Sequence, residues 1–115
     1  MFPTNQATLD AYMAALNTKN ESALSELFTE DAIFENTSPT PDGESYKGKA
    51  AIIEFMRNFF TKNPSSSFEI EEVFSTEDNA AVRSVYNWDG GHVRGAQLFR
   101  FRDGKICEMY AYVKG

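Results

Sequence analysis

Two Asp-Gly steps, Asp89-Gly90 and Asp103-Gly104, constrain the second half of this chain more than any other feature. Runs of alternating apolar and polar residues flank them, and Asp-Gly supplies the positive φ values that a tight hairpin turn needs. The spacing predicts strands over residues 68–75, 80–88, 93–101 and 106–113. Glu77-Asp78-Asn79, Asp89-Gly90-Gly91 and Arg102-Asp103-Gly104-Lys105 connect them in turn.

The first half has a different period. Leu9, Tyr12, Met13 and Leu16 repeat at the i, i+3, i+4, i+7 spacing of an amphipathic helix over residues 5–16, which Thr4 or Asn5 can cap. Asn20 can cap a second, shorter helix carrying Leu24, Leu27 and Phe28. A short strand over residues 32–36 leads into Thr37-Ser38-Pro39-Thr40-Pro41-Asp42-Gly43, a sequence suited only to a loop. Ile52, Phe55, Met56 and Phe59 then mark a third helix over residues 48–60, stopped by Asn63-Pro64. Helices followed by hairpins predict an α+β domain, with the helices on one face of an antiparallel sheet. At 115 residues the chain fits a single domain, 1–115.

Charge and cysteine usage narrow the function classes. A net charge of −6 repels phosphate backbones and argues against a nucleic-acid partner. Cys107 is the only cysteine and His92 the only histidine, so no metal-ligand spacing exists and neither a metal nor a cofactor is expected. No segment approaches the ~18 apolar residues that cross a bilayer, and the first basic residue is Lys19, unlike a signal peptide. The expectation is a soluble, cytoplasmic protein with no membrane partner.

Strand alternation separates the two sheet faces. Val93, Gly95, Gln97, Phe99 and Phe101 share the inner side of their strand, while Arg94, Ala96, Leu98 and Arg100 point outward. Val82, Ser84, Tyr86 and Trp88 join the inner side, as do Met109, Ala111 and Val113. Tyr110 and Tyr112 then lie outside beside Leu98 and Val85, which suggests a partner surface. Gln97 is the one polar side chain on an aromatic inner strand face. It is either a core amide satisfied by Tyr12 or a water, or a polar anchor in a ligand pocket. Tyr12 has the same ambiguity. By default Asn36 is a turn residue, Trp88 fills core, and His92 is an exposed turn residue.

The segments 12–17 (YMAALN), 24–31 (LSELFTED), 32–36 (AIFEN), 46–52 (YKGKAAI) and 98–106 (LFRFRDGKI) resemble ketosteroid isomerases. They also resemble the wider nuclear transport factor 2-like superfamily, including SnoaL-like polyketide cyclases. The resemblance implies a cystatin-like cone: three N-terminal helices packed on a strongly curved antiparallel sheet around an apolar pocket. It also implies a homodimer through the outer sheet face, here bearing Val85, Leu98, Tyr110 and Tyr112. Tyr12 matches the family's oxyanion tyrosine, the one candidate catalytic donor. Asn36 stands where the family has its basic Asp, and Gln97 where it has a neutral acid. An amide has no basic lone pair at neutral pH, so the isomerase base is missing.

The resulting expectation is a binder of a small apolar or carbonyl-bearing molecule. Tyr12, Asn36 and Gln97 would make the polar contacts, and Phe34, Phe55, Phe59, Val82, Tyr86, Trp88 and Phe99 the walls. The alternatives are an enzyme acting on a carbonyl-containing hydrophobic substrate, and a non-catalytic dimerisation module whose pocket is filled by its own rings. Ten phenylalanines are enough to make the second worth testing.

Overall fold

The computed structural model describes residues 1–114 and places every predicted helix and hairpin. Helix α1 (Pro3–Thr18) starts at a proline, whose fixed φ suits a first helical turn. No side chain caps it; Asn5 is instead buried and donates from Nδ2 to the Glu77 carbonyl at 3.0 Å. Lys19, at φ 55°, stops the helix, and Asn20 caps α2 (Glu21–Leu27) by accepting from the Ala23 N–H at 3.1 Å. Strands β1 (Phe28–Glu35) and β2 (Ser45–Lys47) come next, then α3 (Lys49–Lys62). Strands β3 (Ser67–Ser75), β4 (Asn79–Trp88), β5 (Gly91–Arg102) and β6 (Lys105–Val113) complete the chain.

The six strands form one open sheet in the order β2-β1-β6-β5-β4-β3. Two expectations need correction. The sheet is mixed, because β1 runs parallel to β6; no hairpin joins those strands, so no turn forces them antiparallel. The helices are also not all N-terminal, since α3 follows β1 and β2. Asp103 and Gly104 have φ 54° and 75°, as the predicted tight turn requires. At Asp89-Gly90 the turn takes only two residues, so His92 lies within β5, exposed and opposite Asn87.

The α1 stripe of Leu9, Tyr12, Met13 and Leu16 is buried with Leu24, Ile52 and Met56 against Val82, Phe99, Phe101, Ile106 and Met109. Each such side chain contributes about 1.5–3 kcal/mol of burial. On the outer face, Leu98 and Tyr112 are exposed as expected, but Val85 is buried. Arg94, directly opposite Val85 in the β4–β5 ladder, reaches to Glu71 on β3 at 2.6 Å. Among the described residues, no helix is long and apolar enough to cross a membrane.

Candidate functional site: a cavity over the sheet

A cavity of about 400 Å³ lies between the inner sheet face and helices α1 and α3. Two cross-strand rows explain the space: Ser84–Gly95–Val113, and beside it Val82–Gln97–Ala111. Ser84, Gly95 and Ala111 are short where neighbouring rows carry Tyr86 or Phe99. Gly95 has a second reason to be glycine, because a Cβ there would meet the Tyr112 carbonyl oxygen at 2.3 Å.

Aromatic rings form much of the wall. Phe34 packs on Phe55 at a 5.3 Å centroid distance, and Phe59 lies 5.5 Å from Tyr86. Tyr86 in turn stacks on Phe68 at 4.9 Å and touches Trp88 at 5.4 Å. These rings lean on one another along the wall and leave the centre open. Trp88, 38% exposed, lines the cavity from the end of β4; a side chain at Gly90 would come within 2.5 Å of its indole nitrogen.

Of the residues expected at the site, Tyr12, Phe34, Asn36, Phe55, Phe59, Tyr86, Trp88 and Gln97 all line this cavity. Val82 and Phe99 do not: both are fully buried beneath it, because alternation fixes a residue's face but not its depth. Sequence reasoning missed Thr37, Ser38, Met56, Asn63 and Phe68, which also contribute. Asn36, Thr37 and Ser38 reach the site because loop 37–44 folds back on β1. The Asn36 N–H donates to the Glu44 carbonyl at 2.9 Å, and Gly43 is so close to the Asn36 carbonyl that only a missing Cβ fits. Phe68 is held by Asn17, whose side chain exchanges two hydrogen bonds with its backbone at 2.7 and 3.1 Å. The helical period carries no signal for such a long-range clamp.

The electrostatics are unusual in one respect: every polar side chain lining the cavity is uncharged at neutral pH. Glu35 points to the outer face beside Tyr110, and Asp31 is exposed in an ion pair with Arg102. Burial pushes the Tyr12 phenol well above its ordinary value, so it is a permanent O–H donor. Its ring meets Phe28 and Phe99 edge-on at 5.9 and 5.5 Å. Among the described residues, nothing hydrogen-bonds Gln97 Oε1, although that oxygen is sealed from solvent. Tyr12 is not its donor among the described residues.

A layer of helices over one face of an open six-stranded sheet, with a cavity between them, is the architecture of nuclear transport factor 2-like proteins. The chain belongs to the SnoaL-like domain family, whose profile matches residues 9–109. It is 27% identical over 114 residues to the uncharacterised protein YesE of Bacillus subtilis, covering 91% of this chain and 78% of that one. A nuclear transport factor 2-like protein of unknown function from Mesorhizobium loti superposes with a TM-score of 0.87 at 33% identity, over 97% of this chain and 92% of its own. A Catenulispora acidiphila protein with a ketosteroid isomerase-like fold, solved with trimethylamine, gives 0.79 at 22% identity over 91% and 83% of the two chains.

Proposed function

We propose that this protein binds a small, uncharged, largely apolar molecule in the cavity over its sheet. The carrying observation is about 400 Å³ of open space beside Gln97, whose Oε1 accepts from no group among the described residues. Ligand sites typically occupy ~300–1,000 Å³ and set a few polar groups among many apolar ones. An unpaired buried polar atom costs about 1–3 kcal/mol, a cost that a filled, self-contained core has no reason to carry. The open centre also disfavours a module closed by its own rings. Asn36 in place of an acid, with no carboxylate or imidazole among the lining residues, favours binding over proton abstraction. Tyr12 could still polarise a ligand carbonyl.

Trp88 is the only tryptophan and lines the cavity, so its fluorescence reports occupancy. Titration with uncharged aromatic compounds quenches it in the natural protein, and Ala111→Phe, which fills the floor, abolishes the response. Equal quenching in both proteins would refute the reading.

We infer as well that a second copy of the chain covers the outer face. Phe74, Ala81, Leu98 and Tyr110 form one continuous row across β3, β4, β5 and β6. Phe74 and Tyr112 are 58% and 57% exposed there, more apolar surface than a solitary domain gains by leaving wet.

A further inference from the structure

We propose that the ligand is elongated: its apolar body fills the cavity, and a linear, uncharged tail leaves over Phe59 and Asn63 to lie along the outer flank of α3. This rests on the binding reading above and extends the site beyond the cavity.

The first observation is a second hollow, of about 430 Å³, between α3 and Tyr46 of β2. Two rows of α3 side chains build it. Residues four apart on a helix lie one above the other, so Ala51, Phe55, Phe59 and Asn63 form one row and Glu54, Asn58 and Lys62 the next. The first row is half-buried and the second is exposed. Between its two ends the first row runs for roughly 18 Å, at a rise of ~1.5 Å per residue. Phe55 leans on Tyr46 at a centroid distance of 4.7 Å and on Phe59 at 6.0 Å, so three rings in succession line the hollow.

The second observation is continuity. Phe55, Phe59 and Asn63 line the cavity as well, so the two spaces share a wall. Asn63 stands where they meet, at the end of α3. Its backbone N–H and its Nδ2 both donate to the Phe59 carbonyl at 3.0 Å, which folds the side chain back on the helix end.

The rows also define the occupant. Ala51, Phe55 and Phe59 offer an apolar track to an alkyl chain. Glu54, Asn58 and Lys62 beside it carry one acid, one amide and one base, so their charges cancel and a terminal hydroxyl finds partners there. Eight residues line the hollow, which suits part of a small molecule; a protein partner covers ~20–30 residues on each side.

Two fluorescent alcohols with one body and different tails test this: 1-pyrenemethanol and 6-(1-pyrenyl)hexan-1-ol. Each fully buried methylene is worth roughly 4-fold in affinity, and the longer alcohol has five more. The natural protein should bind it at least about 10-fold more tightly than the shorter one. In ¹⁵N-labelled protein the longer alcohol alone should move the Asn58 side-chain amide. Ala51→Phe with Asn58→Phe fills the hollow and should bring the two affinities within about 2-fold of each other; Asn58→Phe alone, at an exposed position, serves if the pair fails to fold. Equal affinities in the natural protein overturn the inference, as does a tail advantage that survives the filled hollow with the Asn58 amide unmoved. In either case binding that disappears in Ala111→Phe leaves the cavity reading standing. If neither alcohol binds, the inference falls, and the tryptophan titration above decides whether the cavity reading falls with it.

Discussion

Gln97 sits directly opposite Ala111 across the β5–β6 ladder, and both side chains line the cavity. The alanine makes room and the glutamine makes that room polar. With Val82 on its other side in β4, the amide stands in an apolar row and its oxygen accepts from no group among the described residues.

Stability gives the first expected outcome. Replacing Gln97 by leucine removes a buried acceptor with no partner and keeps a side chain of similar size. The variant should be more stable by about 1 kcal/mol, which for a domain of this length raises Tm by roughly 3–7 °C. Differential scanning calorimetry checks it; a lower Tm would mean that the amide is satisfied in solution.

Tyr12 predicts a pH effect. Its folded-state pKa lies above the ordinary phenol value of 10.0, which the unfolded chain retains. The folded state therefore holds its proton while the unfolded state releases one, and stability falls as pH rises above about 10. Below that value the contribution is fully present and independent of pH. Urea unfolding across the alkaline range should show Tyr12→Phe losing about one proton's worth of that slope. Identical alkaline profiles for the two proteins would show that Tyr12 is not the group responsible.

The outer face was only partly legible in the sequence. Alternation correctly turned Tyr112 and Leu98 outward, but it carries no information about what lies over a residue. Val85 is buried, beside an Arg94–Glu71 contact between residues 23 positions apart that alternation does not encode. Phe74, at the far end of β3, extends the apolar row and went unnoticed because β3 contains a register shift between Ile70 and Glu72. Strand β2 was missed because three residues are too few for a period, and the parallel β1–β6 pairing because no turn encodes it. For the site, helical and strand periods found the Tyr12, Phe55 and Gln97 faces. They could not find Phe68, which depends on the Asn17 clamp, or separate Val82 and Phe99 from the true lining.

Association follows from that surface. Light scattering at micromolar concentration should give about twice the 12.9 kDa chain mass, and Leu98→Arg with Tyr112→Arg should return it to the single-chain value. A natural protein already at the single-chain mass would contradict the pairing.

Catalysis should be absent in one defined reaction. Asn36 cannot take a proton, so the natural protein should not isomerise a 5-ene steroid to its 4-ene form. Asn36→Asp combined with Gln97→Asp restores a base and an acidic donor beside Tyr12; a missing general base elsewhere costs ~10²–10⁴ in rate. Turnover by the natural protein would show that another group acts as base.

The most direct measurement is the chemical-shift response of ¹⁵N-labelled protein to 2-naphthol. Three side-chain signals mark the cavity: the amides of Gln97 and Asn36 and the indole N–H of Trp88, all of which line it. The account predicts that these move together and saturate at one ligand per chain, with Gln97 moving most and Ala111→Phe silencing all three. Shifts confined to the outer row around Leu98 and Tyr112, with the Gln97 amide unmoved at saturation, would contradict it.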